Sequence, residues 1–212
     1  IRGNQMSMIF QEPMSSFSPI HKIGDQIGEV IELHLKLSKV QTRARVIELL
    51  GKVGIPDPER AADQYPHSFS GGMRQRAMIA KALACNPSVL IADEPTTALD
   101  VTIQAQILEI MRNLKDEFGM SMIFITHDLG VVAQIADEVA IMYMGKIVEK
   151  GPVMEIFKSP QHPYTISLLN AIPRLGKLSN RRKLTSIQGS VPSLFERPAG
   201  CAFHPRCESF IA

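Results

Sequence analysis

No G-x-x-x-x-G-K-[ST] loop occurs in the sequence. Its three Gly-Lys pairs, Gly51-Lys52, Gly145-Lys146 and Gly176-Lys177, are followed by Val, Ile and Leu, and none has a Gly five positions earlier. Such a loop cradles phosphates in backbone N–H groups, so these 212 residues hold no cradle of that kind. Cysteine is scarce as well. Cys85, Cys201 and Cys207 are too few and too unevenly placed for a disulfide framework, which favours a reducing compartment. No apolar run approaches the ~18 residues that span a bilayer, and no signal-peptide pattern opens the chain. A membrane role would therefore come through a partner.

What is present is ordinary for a globular protein. An apolar share of 45% with 21% charged residues suits one domain with an appendage, or two small domains. The sequence opens at Ile1 on polar residues that look like mid-domain sequence and stops at Ile211-Ala212, so it reads as a fragment cut at both ends. Net charge is +2 but uneven: Arg174 to Cys207 carries seven Lys/Arg against one acid, Glu196. That basic stretch suits either a solvated surface or an anionic partner such as a lipid headgroup or a bound cluster.

Periodicity predicts a short strand over 6–10, a Pro/Ser-rich loop over 12–22, and helices over 23–37 and 43–53, the latter stopped by Gly54 with Pro56 and Pro58 beyond. A loop over 61–69 leads into a helix over 71–84 capped by Ser70, and Asn86-Pro87 breaks the chain before a strand over 89–92. A helix over 101–118 ends at Gly119, followed by a strand over 122–125 and a short helix over 129–136. Residues 139–150 read as a hairpin turning at Gly145. The fold class is α/β, with a mainly parallel sheet covered on both faces, because the strands are unbroken apolar runs. Residues 12–87 form an inserted helical subdomain. From Gly151 onward the α/β rhythm stops, apart from a helix near 164–172.

Three short patterns carry chemistry. Asp93-Glu94 ends the strand 89–92, and ligands of parallel sheets bind beyond the carboxyl ends of strands. Asp93 there can hold a hydrated Mg²⁺ that bridges phosphate oxygens. Glu94 can polarise an attacking water, its pKa raised by neighbouring negative charge. Ser70-Gly71-Gly72 opens a helix, where an N-cap and two glycines let backbone N–H groups approach an anion; a plain capped helix has the same look. Arg74 and Arg76, near the positive end of that helix dipole, point to an anion or to partners elsewhere. His127 follows the strand 122–125 as Glu94 follows 89–92, within reach of a terminal phosphate or water, although a lone His at a strand end also serves structure.

These residues stand in the order of a known family. Gln11, Ser70-Gly71-Gly72-Met73-Arg74-Gln75-Arg76, Asp93-Glu94-Pro95-Thr96, Ala98-Leu99-Asp100 and His127 resemble the Q-loop, signature, Walker B, D-loop and H-switch of the ATP-binding-cassette (ABC) ATPase domain, a P-loop NTPase-type fold. Phe69 replaces the usual leading Leu of the signature. Phe10-Gln11-Glu12-Pro13-Met14, Tyr65-Pro66-His67-Ser68-Phe69, Val101-Thr102 and His162-Pro163-Tyr164-Thr165 resemble the dipeptide/oligopeptide importer branch, whose close relatives also carry nickel. The resemblance implies a truncated ATPase domain over 1–150 and an importer-type extension, cut short, over 151–212. The P-loop and an adenine-stacking aromatic would lie in an N-terminal region outside this sequence.

Carried over by position, Gln11 would contact Mg²⁺ and sense the transmembrane subunit. Ser70, Gly71 and Gly72 would bind the γ-phosphate of ATP held by the opposite subunit. Asp93 would serve the metal, Glu94 would be the catalytic base, Asp100 would cross the dimer interface, and His127 would hold the γ-phosphate. The implied partners are a second ABC ATPase subunit, identical or paralogous, transmembrane permease subunits and, indirectly, a peptide-binding protein, with no nucleic acid. The implied place is the cytoplasmic face of the membrane, held peripherally. Cys201 and Cys207 resemble the start of that branch's [4Fe–4S] ligand set, but the sequence ends before a third or fourth thiolate and has Glu208 where Pro is expected. Free thiols are the plain alternative. Two other functions compete. One is an ABC ATPase acting on DNA or ribosomes, which the 58 residues between Gln11 and Ser70, without heptads, disfavour. The other is a non-catalytic docking remnant.

Overall fold

The structure, a computed structural model, describes residues 1–12, 16–97, 99–172, 187–193, 195 and 197–209. Pro13, Met14, Ala98 and most of the basic stretch (Arg174, Lys177, Arg181, Arg182, Lys183, and its acid Glu196) lie outside the described residues. The chain divides into two compact units, Ile1–His127 and Asp128–Ala212.

The first unit is built on three parallel strands in the order β1 (Met6–Ile9), β2 (Val89–Asp93), β3 (Ser121–Ile125). Ile9 lies opposite Ala92, and Asp93 opposite Ile125. Parallel neighbours need a crossover, and the one between β1 and β2 is the expected helical insertion. It comprises α1 (Ile23–Leu35), α2 (Lys39–Lys52), α3 (Pro58–Ala62), a 3₁₀ turn at Pro66–Ser68, and α4 (Gly71–Ala82). Local chemistry sets the helix starts. Ser38 and Gln41 form a reciprocal capping box that begins α2 four residues earlier than periodicity predicted. Pro58, read from sequence as lying beyond a helix end, is the first residue of α3, where its missing N–H costs nothing, and Asp57 caps it. Ser70 caps α4 as expected. Asp100 caps α5 (Val101–Phe118), which Gly119 closes at φ 59°.

Ile23, Ile27 and Ile31 of α1 and Val46, Leu49 and Leu50 of α2 are buried, and these two helices pack on each other and on α3 and α4. A Cβ on Gly24 would come within 2.7 Å of the Ala62 carbonyl oxygen, so α1 and α3 meet nearly backbone to backbone. α4 in turn lies against β1. The expectation of a sheet covered on both faces is corrected. Ile9, Leu90 and Ala92 bury one face, whereas Met6, Met8, Ile123 (53% exposed) and Ile125 (46%) leave the other open. The period-2 geometry of strands sorts an unbroken apolar run onto both faces, whether or not both are covered.

The second unit contains α6 (Leu129–Ile135), an antiparallel pair β4 (Glu138–Tyr143) and β5 (Lys146–Pro152), α7 (Val153–Lys158), α8 (Pro163–Asn170) and a 3₁₀ turn at His204–Arg206. The hairpin turns on Met144 (φ 47°) and Gly145 (φ 72°), two left-handed residues that match the strand twist. Val139, Ile141 and Ile156 form one buried cluster, and Tyr143, Ala202 and Phe203 another. Tyr164 packs on both. No helix among the described residues is long and apolar enough to cross a membrane.

Candidate functional site

The carboxyl edge of β2 and β3 gathers four of the expected side chains or their neighbours. Asp93 is the last residue of β2, partly exposed, and its carboxylate has no hydrogen-bond partner among the described residues. Glu94 leaves the strand in the left-handed region, φ 45°, immediately before Pro95. A Glu rarely adopts that conformation, and strain of this kind concentrates at functional sites. Its backbone N–H still donates to Ile125 O (2.9 Å), extending the sheet by one bond, and Thr97 N–H returns to Glu94 O (3.1 Å) to close a turn.

That turn aims the Glu94 carboxylate at three donors. Gln11 Nε2 donates to Oε2 (3.0 Å), Thr97 Oγ1 donates to Oε2 (2.9 Å), and His127 Nδ1 lies 2.9 Å from Oε1. An ionised carboxylate only accepts, so the His127 proton belongs on Nδ1, leaving Nε2 directed elsewhere. His127 is largely exposed, and the Glu94 side chain retains 23% of its surface. These contacts, His127 foremost and then Thr97 and Gln11, hold the Glu94 carboxyl below the ordinary carboxylate range. The sequence expectation was the reverse, a pKa raised by neighbouring negative charge. Hydrogen bonds to the charged form outweigh the desolvation that opposes them.

Ser70 Oγ accepts from Met73 N–H (3.2 Å), the ordinary capping bond. Nothing lies within 4 Å of a Cβ placed on Gly71, whereas one on Gly72 would meet Ile103 Cγ2 at 3.1 Å, where α4 crosses the start of α5. Asp100 Oδ1 accepts from Ile103 N–H (2.9 Å) in the same neighbourhood. The two arginines have partners elsewhere. Arg74 Nε donates to Pro66 O (2.8 Å), and Arg76 donates to Val53 O (2.9 Å) at the end of α2 and to Gln106 Oε1 (2.8 Å). Their position near a helix N-terminus is thus compensated by backbone carbonyls. Thr97 went unread in the sequence, although a Thr three residues after an acid in a turn is a recognisable side-chain partner. Gln75 went unassigned too: it is 2% exposed and donates its amide N–H to Pro95 O. A cleft of about 680 Å³ between α1 and α2, lined by Asp25, Glu29, Thr42 and Arg43 among others, includes none of these residues.

The residues present fit a magnesium ion in part. Mg²⁺ keeps several waters and takes one or two carboxylates plus substrate phosphates. Among the described residues Asp93 is an unengaged carboxylate, and Gln11 spends only its amide N–H₂ on Glu94, leaving Oε1 without a partner there. They do not fit a four-thiolate cluster. Cys201 Sγ lies 3.9 Å from His162 Nε2, Cys207 is half-buried, and Cys85 is buried in the first unit against Val30 O. Among the described residues no three His, Cys, Asp or Glu are grouped to hold a metal.

Known proteins resemble both parts of the chain. Residues 1–97 match the ABC transporter family, and residues 148–210 match the oligopeptide/dipeptide transporter C-terminal region. Two solved structures share the fold. One is an ATP-binding cassette in a dimeric post-hydrolysis state bound to ADP and Pi (TM-score 0.63, 25% identity, covering 71% of this chain and 64% of that one). The other is cbiO1 from Clostridium perfringens, part of the ABC transporter complex cbiONQ (TM-score 0.64, 29% identity, 73% and 60%). The chain is thus similar to the ABC transporter ATPases over both matched segments and shares the α/β fold of their ATPase domains.

The second matched segment resembles the C-terminal region of the oligopeptide/dipeptide transporters, and the relatives of the chain are named accordingly. A Brucella ovis protein named for peptide import and ATP binding is 59% identical over 211 residues, 98% of this chain and 62% of that protein. The dipeptide transport ATP-binding protein DppD of Bacillus subtilis is 56% identical over 207 residues (98% and 61%). The oligopeptide transport ATP-binding protein OppD of the same organism is 58% identical over 203 residues (96% and 56%). The chain thus spans about three-fifths of the length of these relatives.

Proposed function

We propose that this chain is part of the ATP-hydrolysing subunit of an importer of di- or oligopeptides, with an ATPase domain over about 1–150 and an importer-type extension over 151–212. The convergence of Gln11, Thr97 and His127 on Glu94, beside an unengaged Asp93 at the sheet edge, carries the reading. Glu94 is the base that takes the proton of the attacking water. It has two oxygens and about four acceptor positions, of which three are filled, so one remains for a water. His127, fixed through Nδ1, turns Nε2 towards the terminal phosphate. Asp93 and Oε1 of Gln11 would hold Mg²⁺, which would neutralise phosphate charge there.

The remaining residues fit a dimer. Gly71, open above its Cα, and the N–H groups at the start of α4 are suited to an anion presented by a second subunit. Asp100, capping α5 close by, lies on the same side of α4 as Gly72 through Ile103. Partners are a second ABC ATPase subunit and membrane permease subunits, with the chain held peripherally on the cytoplasmic face. A neighbour of the same fold was solved as a dimer with ADP and Pi, which supports that assembly. The test joins the chain to an N-terminal segment carrying G-x-x-x-x-G-K-[ST] and compares ATPase activity with its Glu94→Gln form. General-base loss should lower turnover about 100- to 10,000-fold. A restored wild type as inactive as the Glu94→Gln form would end the enzymatic reading.

A further inference from the structure

The bond from Gln75 to Pro95 joins two parts of the molecule that the proposed reaction treats separately. Gln75 sits one turn into α4, on its buried face, and its Nε2 reaches the carbonyl of a residue 20 positions later. Pro95 and Thr96 are buried, so that carbonyl needs a partner within the protein. It belongs to the turn in which Glu94 holds its left-handed backbone and Thr97 closes back onto Glu94 O and Oε2. Backbone strain persists only where surrounding bonds over-determine it. On the strand side that bond is Glu94 N–H to Ile125 O; on the helix side it is Gln75.

We infer that Gln75 is a positioning residue: it fixes the turn that aims Glu94, and it ties that turn to the helix whose first residues are Ser70, Gly71 and Gly72. The inference rests on the proposed ATPase reading. There, the start of α4 serves the nucleotide of one site and Glu94 acts at the other, so a rigid helix one turn long from Ser70 to Gln75 links an anion-binding loop to a base. Movement of α4 on meeting a phosphate is then felt at Glu94 through this side chain. Arg76, the next residue, pins the same helix to Val53 O and Gln106 on its other flank, whereas Gln75 is directed to the catalytic turn.

Two measurements test it. In the 212-residue chain itself, Gln75→Met keeps the length of the side chain and removes the donor. Amide hydrogen exchange at Glu94 and Thr97 should accelerate about tenfold or more, while Leu90 and Ala92 in the strand keep their protection. In the form carrying a P-loop segment, kcat should fall about tenfold with KM for ATP unchanged, since Gln75 touches no substrate. If Gln75→Met does not fold, Gln75→Leu, which also lacks a donor, takes its place in both measurements. Unchanged exchange at 94 and 97 overturns the inference, and so does accelerated exchange with wild-type kcat, which would leave Gln75 a merely structural side chain. A wild-type form that hydrolyses no ATP counts against the proposed function instead, and the exchange result still decides whether the link exists.

Discussion

Replacing Gly71 with Ala separates what a glycine does for the fold from what it does for a ligand. Gly71 is the first residue of α4, its φ is not positive, and a Cβ there meets nothing within 4 Å. The folded chain therefore has no use for the missing side chain. An Ala at a compatible position reduces the entropy of the unfolded chain and stabilises by about 0.4–1 kcal/mol. For a chain of this size that is a rise in Tm of about 1–4 °C. If Gly71 is there to let an anion approach backbone N–H groups, the added methyl stands in its path, and losing one such donor costs about 100-fold or more in turnover. The assay pairs urea or thermal unfolding of the 212-residue chain with ATPase turnover of the P-loop-carrying form. Opposite signs are expected, higher stability with lower activity. A variant that is both more stable and fully active would remove the anion-binding role from the Ser-Gly-Gly turn and leave Ser70 an ordinary helix cap.

Two further outcomes follow from the same geometry. Phe203 is buried among Tyr143 (centroids 5.4 Å), Tyr164 (5.3 Å) and His162, so Phe203→Ala should cost about 3–5 kcal/mol in the second unit; unfolding that shifts by less than about 1 kcal/mol would contradict that packing. The Glu94 carboxyl titrates below its ordinary 4.5, so its contacts stabilise fully above that value and lose their contribution as pH falls through the depressed one. Carbonyl NMR should show the Glu94 titration move back up in His127→Ala, and no movement would mean that His127 is not the main cause.

How much could be read beforehand follows from the range of the interactions. Ser70 before α4, Gly119 after α5 and Gly145 in the hairpin were legible because a cap or a turn is decided by a residue and its nearest neighbours. The edge bearing Asp93, Glu94 and His127 was legible because two apolar strands each end in polar residues. α3 and α7, of five and six residues, are too short to show a helical period, and Pro58 reads equally as a stop or a first residue. Thr97, three positions after Glu94, follows a turn pattern, whereas Gln75 acts through a bond to Pro95, twenty positions on, that no local spacing encodes. The direction of the Glu94 pKa went astray for the same reason. The neighbouring carboxylate is visible in sequence, but the three donors come from residues 3, 33 and 83 positions away.

A mixing experiment puts the dimeric account to its most direct test. Chains carrying Gly71→Ala and chains carrying Glu94→Gln, both in the P-loop-bearing form, should each hydrolyse almost no ATP alone. In mixed dimers the intact Ser70 turn of one chain meets the intact Glu94 of the other, so mixing the two should restore a substantial part of the activity. Two inactive preparations that stay inactive on mixing, while exchanging subunits freely, would contradict a site shared between copies.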